Sequence, residues 1–391
     1  MKIIYCITKA DNGGAQTHLI QLANHFCLHH DVYVIVGDRG PMIEQLDARV
    51  KVIVVEHLVG PIDIRQDILA IKALTQLFSK IQPDVIHLHS SKAGTVGRIA
   101  NLMSKSTGAR VIFTAHGWAF TEGVKLVKKI IYLMIERLMS RITDCIICVS
   151  KFDEKLAVKY RFNRLKLTTI HNGIADVPVV KQTFKNHNQD TLIEVDRVVG
   201  NLTNPNIIQG EQPSQHQFVM IARFAYPKLQ QNLIAAIAIL KSKYRKHAHF
   251  TFIGDGPTLN DCKQQVSQAG LDNDVTFLGN VINASNLLSQ YDTFILISKH
   301  EGLPISIIEA MATGLPVIAS RVGGITELVT NNGICVKNNQ PETIAKSLAK
   351  YLTDGDYGTL SNQSRKRYIE CFTEAKMIKE VEEIYNGKST Q

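Results

Sequence analysis

Glu301 and Glu309 lie eight residues apart in the run EGLPISIIEAMATGLPVIAS (301–320). The first sits in a loop punctuated by Gly302, Leu303 and Pro304; the second falls one to two turns into an apolar segment that reads as a helix. Pro304 suits a first helical position, where its missing N–H is no loss. The loop carboxylate, the free amides of the helix start and the helix carboxylate then face one pocket. That pocket suits a ligand with sugar hydroxyls at one end and phosphates in the middle, because carboxylates accept strongly from hydroxyls and helix N-terminal amides favour anions. Eight helical residues span ~12 Å, so the two acids are expected to touch different parts of an elongated ligand. An ordinary exposed helix with solvated glutamates has the same spacing.

Other residues extend this chemistry. Arg223 ends an apolar run and Lys228 follows five residues later, in RFAYPK. Two such cations would stabilise a pyrophosphate leaving group, although surface cations are common at strand ends. Gly13-Gly14, Gly254-Asp255-Gly256 and Gly323-Gly324 recur at the same end of successive strands, where glycine lets the backbone approach a phosphate. Gly13-Gly14 is not the dinucleotide-binding fingerprint, and a plain strand-to-helix turn has the same form. His116, in TAHGW (114–118), either hydrogen-bonds a sugar hydroxyl or is a satisfied structural histidine. Lys92, in the turn SSKAG (90–94), and Arg98 a turn later offer donors for an acceptor phosphate.

Metal chemistry finds less support. Asp272-Asn273-Asp274 precedes a strand and Asp354-Gly355-Asp356 lies in a C-terminal turn, so both read as turn chemistry. His87-x-His89 is expected to divide its imidazoles between the two faces of a strand, which disfavours a shared metal. Cys145-x-x-Cys148 lies within the apolar run CIICVS and has no second pair. No catalytic metal and no cofactor are expected.

The elements that must position these residues alternate. KIIYCI (2–7), VYVIV (32–36), VIVV (52–55), DVIHLH (84–89), VIFTAH (111–116) and CIICVS (145–150) read as buried strands, with amphipathic segments such as 64–80 and 124–141 between them. After a polar stretch at 181–215 the rhythm resumes with QFVMIAR (217–223), HFTFIGDG (249–256), VTFLGNV (275–281), TFILIS (293–298) and PVIAS (316–320). Two doubly wound α/β domains with parallel sheets follow from this pattern, with ligand in the cleft between them. Their expected extents are 1–175 and 216–370, joined by a polar linker or excursion at 176–215. The helix expected within 371–391 packs back on the first domain.

A chain of 391 residues is long enough for two cores, and its 45% hydrophobic and 20% charged composition is that of a globular protein. No apolar run approaches the ~18 residues of a spanning helix, and the N-terminus reads as lacking a signal peptide. Seven scattered cysteines argue for a reducing compartment. The net charge of +9 falls wholly within residues 1–175, and 105–166 hold 13 basic against 5 acidic residues. Nucleic acid is not expected, since no arginine-rich or aromatic-interleaved pattern accompanies the charge. An anionic membrane surface, a phosphate-bearing acceptor and a merely basic surface all fit. Segment 124–141, with Lys125, Lys128 and Lys129 at its start, reads either as a membrane-surface helix or as a core helix with a charged edge.

Taken together, Gly13-Gly14, His116-Gly117, His171-Asn172-Gly173, Arg223 with Lys228, Gly254-Asp255-Gly256, the Glu301/Glu309 pair and Gly323-Gly324 resemble a family-4 retaining glycosyltransferase of GT-B fold. HSSKAG (89–94) and TAHGW resemble the branch that builds bacterial capsule, exopolysaccharide or lipopolysaccharide. The resemblance implies transfer of a hexose or N-acetylhexosamine, with retention, from a nucleotide-diphosphate sugar, UDP first, to a lipid-diphosphate-linked saccharide. It implies work on the inner face of the cell membrane by a cytoplasmic, peripheral enzyme. By the same resemblance Glu309 contacts ribose, and Glu301 with Gly302, Leu303 and Pro304 contacts the donor sugar. Arg223 and Lys228 neutralise the diphosphate with Gly14, His116 lies beside the reacting sugar, and Gly254 and Leu278 line the donor site. A nucleotide-sugar 2-epimerase and a silent subunit of a synthase complex are the competing expectations. Leu229-Gln230-Gln231 departs from the family pattern after Lys228.

Overall fold

The structure is a computed structural model that describes residues 1–104, 108–121, 124–177, 179–185, 192–198, 215–244 and 248–387. It divides into two compact units, Met1–Gly173 with Glu374–Gln391, and Ile174–Thr373.

The first unit is a seven-stranded parallel sheet of β1 (Lys2–Ile7), β2 (Asp31–Val36), β3 (Lys51–Val54), β4 (Val85–His89), β5 (Arg110–Ala115), β6 (Cys145–Cys148) and β7 (Leu167–Thr169). The spatial order is β3-β2-β1-β4-β5-β6-β7. Its central strands are apolar almost throughout because helices cover both faces. Those helices are α1 (Gly14–Phe26), α2 (Ile64–Ile81), α3 (Ser91–Met103), α4 (Leu126–Met139) and α5 (Lys151–Lys159). Side chains fix several starts: Asp63 accepts from the Arg65 and Gln66 amides, and Ser150 accepts from the Asp153 amide. The strand order reverses between β1 and β4, and their carboxyl ends open where such sheets hold ligands.

The second unit begins with an antiparallel pair, β8 (Val179–Lys185) and β9 (Leu192–Val198), in the stretch that composition marks as a linker. Residues 186–191 and 199–214 of that stretch lie outside the described residues. Its main sheet comprises β10 (His216–Ile221), β11 (Ala248–Ile253), β12 (Val275–Gly279), β13 (Thr293–Leu296), β14 (Val317–Ser320) and β15 (Gly333–Val336). All are parallel, in the order β12-β11-β10-β13-β14-β15, so this sheet reverses between β10 and β13. Helices α6 (Gln230–Tyr244), α7 (Leu259–Gln268), α8 (Ile305–Ala312), α9 (Ile325–Leu328), α10 (Pro341–Asp354) and α11 (Tyr357–Cys371) flank it. Pro304 is extended at φ −68°, ψ 121°, and so caps α8 one residue before the helical position expected of it.

The last helix, α12 (Glu374–Tyr385), belongs to the first unit. Met377, Ile378, Val381, Ile384 and Tyr385 join the core cluster that contains Leu22, Phe26 and the β1 and β2 side chains. Removing that face of α12 would uncover apolar surface in the middle of the unit.

Candidate active site

In the second unit, two loops leave the sheet at its point of reversal. The loop after β10 carries Arg223 and Lys228, and the loop after β13 carries Ser298, His300 and Glu301. An isolated bridge joins Lys228 to Ser298, and backbone bonds run from Leu229 to Ile297 and from Lys299 to Pro227. The two loops are thereby stitched together. Lys228 Nζ donates to Glu301 Oε1 at 2.5 Å, with both side chains mostly shielded from water. Arg223 is exposed, and its carbonyl accepts from Gln230 Nε2 at 3.0 Å. An ammonium has three N–H bonds, so Lys228 can hold Glu301 and still donate to an anion.

Polar residues that sequence reasoning passed over brace this pair. Ser298 Oγ donates to the Pro227 and His300 carbonyls, the Ser298 amide donates to Ser320 Oγ, and Ser320 Oγ donates to Asn339 Oδ1. Asn339 Nδ2 returns to the Ser298 carbonyl, and Asn232 Nδ2 bonds the Asn339 carbonyl. The available signal was that TFILIS and PVIAS both end in serine. Asn339 and Asn232, distant in sequence, had no signal of their own.

The glycines act through backbone proximity. Gly323, at φ +51°, passes so close to the Glu301 carbonyl that a Cβ there would sit 1.8 Å from its oxygen. The Gly324 amide also donates to the Gly302 carbonyl. Gly254 does the same for the other loop: at φ +139° it lies against Ala222, with space for no side chain. Leu303 and Pro304 are buried and Gly302 is partly so. Leu278 lies on the edge strand β12, two strands from β10, and is 42% exposed.

Glu309 is the fifth residue of α8 and partly buried. Burial pushes its carboxyl up to about 7. Among the described residues no cation or side-chain donor meets its carboxylate.

The first unit gathers histidines instead of charges. His116 Nε2 and His89 Nδ1 share a hydrogen bond of 3.0 Å, and His18 meets the His116 ring edge-on at 5.1 Å. His87 contacts Tyr385 Oη at 2.6 Å and Thr114 Oγ1 at 2.7 Å. His87 and His89 do not divide between faces as expected. Residues two apart in a strand share a face, and their rings lie 4.3 Å apart. Burial holds His87, His89 and His116 well below their ordinary pKa, with neighbouring imidazoles adding to the effect, and His18 falls to about 4. The cluster is therefore neutral. Gly14 opens α1 after β1, where helix geometry leaves amides without intrahelical acceptors.

One acceptor-site expectation needs correction. Arg98 is not a surface donor: it is 1% exposed, pairs with Glu136 at 3.0 Å and lies over the Phe113 ring. Its position on the inner side of α3 decides this. Lys92 is bonded to both oxygens of Asp67, at 2.5 and 2.7 Å. The Asp-x-Asp runs serve local structure, Asp274 pairing with Lys241 and Asp356 capping α11. Cys145 and Cys148 are buried in β6.

Residues 12–176 match the sequence profile of Glycosyltransferase Family 4, and residues 205–370 that of Glycosyl transferases group 1. With the two doubly wound units, these matches establish that the chain belongs to family 4 (group 1), the retaining glycosyltransferases of GT-B fold. Among its relatives is the Escherichia coli UDP-Gal:alpha-D-GlcNAc-diphosphoundecaprenol alpha-1,3-galactosyltransferase, 26% identical over 91% of this chain and 88% of that protein. The O-antigen biosynthesis glycosyltransferase WbnH of Escherichia coli is 27% identical over 90% of each chain. Of solved structures, Anabaena Alr3699/HepE in complex with UDP-glucose superposes with a TM-score of 0.77 at 20% identity, over 99% of this chain and 100% of that one.

Proposed function

We propose that the protein transfers a hexose or N-acetylhexosamine from a UDP-sugar to a lipid-diphosphate-linked saccharide during synthesis of a cell-surface polysaccharide, on the inner face of the membrane. The observation that carries this reading is the meeting of Lys228 and Glu301 at the reversal point of the second sheet, with Glu309 on the helix that follows. Lys228 and Arg223 offset the charge of the departing diphosphate, Glu301 binds the donor sugar's hydroxyls, and Glu309 binds ribose. The bond from the sugar's anomeric carbon to the diphosphate breaks and a bond to the acceptor oxygen forms on the same face. The acceptor's proton passes to the diphosphate. His116, neutral and hydrogen-bonded to His89, contributes a hydrogen bond to a sugar hydroxyl.

The galactosyltransferase relative takes a UDP-sugar and a diphosphoundecaprenol acceptor, and the Anabaena protein is in complex with UDP-glucose, which supports the choice of donor and acceptor class. The test incubates pure protein with a panel of nucleotide sugars and lipid-diphosphate acceptors, in excess chelator, and measures the nucleotide released and the anomer formed. UDP release that requires the lipid acceptor, with an axial linkage kept, is expected. Conversion of a free nucleotide sugar to its epimer without any acceptor would overturn the reading.

A further inference from the structure

Helix α4 carries large apolar side chains on its outer side as well as on its inner one. Its inner side carries Glu136, buried against Arg98, and Lys129, which lies over the Tyr160 ring at 5.5 Å; Tyr132 and Leu133 pack on the core. Its outer side carries Leu126 (72% exposed), Val127 (70%), Ile130 (47%), Ile131 (46%), Met134 (67%) and Leu138 (55%). A surface helix normally buries its apolar stripe and exposes its charges. At 100° per residue these six side chains fall within a single arc, and 14 residues extend that arc over ~21 Å. Exposure of large apolar groups in one contiguous stripe costs free energy in water and marks an interaction surface.

We propose that this side of α4 is a membrane-docking surface that lies in the interface of an anionic bilayer. Charge complementarity selects that occupant. Lys125 and Lys128 are exposed at the N-terminal end of the stripe, Arg137 is exposed within it between Leu126 and Ile130, and the sequence stretch 105–166 carries 13 basic against 5 acidic residues. An apolar face rimmed by cations suits acyl chains below and phosphate headgroups around it. A second copy of the chain would bring the same cations together and be repelled. The length matches a helix lying along the surface, and no helix of the described residues is long and apolar enough to cross a membrane. The proposal rests on the reading that the acceptor is lipid-linked, and supplies what holds the enzyme beside it.

Sedimentation with phosphatidylcholine vesicles containing about a third phosphatidylglycerol tests it directly. The wild-type protein is expected to bind, and the pair Ile130→Gln with Met134→Gln to bind about tenfold more weakly or worse, with an unchanged thermal midpoint. Lys125→Glu with Lys128→Glu should remove the preference for anionic over pure phosphatidylcholine vesicles. Failure of the wild type to bind, or equal binding by the glutamine pair, overturns the proposal. A concentration-dependent dimer that the glutamine pair dissolves also overturns it, by assigning the face to a second copy. A parallel assay of UDP release separates this inference from the transferase reading. The glutamine pair should match wild type on an acceptor with a short, water-soluble tail and slow about tenfold on a vesicle-borne one. Vesicle binding by a wild type that releases UDP to no acceptor, lost in the glutamine pair, would sink the transferase reading and leave the surface standing.

Discussion

The two sheets share an architecture but finish their carboxyl ends differently. In the second unit, charge is left at the point of reversal: Lys228 and Glu301 face each other, Arg223 is exposed, and Glu309 has no recorded partner among the described residues. In the first unit, imidazoles stand where the second gathers its charged cluster. Arg98 is buried against Glu136, Lys92 is bound to Asp67, and the end of β4 and the loop after β5 present neutral imidazoles. One end gathers charged groups; the other offers neutral hydrogen-bonding groups. The fold alone therefore does not set the chemistry of a strand end.

The comparison can be broken at several points. The largest expected effect is on turnover: Lys228→Ala or Glu301→Ala should cut kcat about a hundred- to a thousandfold with the fold intact, read from UDP release and circular dichroism. Full activity in either would remove the contrast. Arg98→Ala should instead cost about 3–5 kcal/mol of stability by stranding the Glu136 carboxylate, while folded protein keeps its activity; denaturant titration and active-site counting distinguish the two. Gly323→Ala should cost about 1–3 kcal/mol, because φ +51° and the Glu301 carbonyl leave no place for a Cβ. Restoration of wild-type stability with lost activity would show that only the Glu301 loop had moved.

The smallest expected effects are opposite pH slopes. His18 titrates near 4 in the folded chain against an ordinary 6.5, so the unfolded chain binds more protons below 6.5 and the first unit loses stability as pH falls from 6.5 towards 4. Glu309 titrates near 7 against 4.5, so the folded chain binds more protons in that window and the second unit loses stability as pH rises from 4.5 to 7. The single tryptophan, Trp118, is buried in the first unit, so its fluorescence reads that unit's unfolding. Amide exchange in β10 to β15 reads the other. Glu309→Gln should flatten only the second slope.

Much of the fold was legible because each parallel strand is an unbroken apolar run, buried on both faces, between glycine turns. β7, three residues long, and β15, which starts at Gly333 and is mostly only half-buried, were not legible as strands, nor were β8 and β9 within a polar stretch. Of the site, Lys228, Glu301 and Glu309 could be named from residue type and spacing. The serine and asparagine brace could not, since Asn339 and Ser298 meet across 41 residues.

The order of residues by itself determined where strands end and which acids and cations follow them, since alternation and turn chemistry act over a few neighbours. Tertiary structure decided which of those charges remain available. Arg98 and Arg223 are the same residue type, yet one faces inward across from Glu136 and the other faces water. Helix α4 likewise has a composition that fits a core. Only its packing shows which of its apolar side chains are left outermost, because which side of a helix meets the sheet depends on partners far away in the chain.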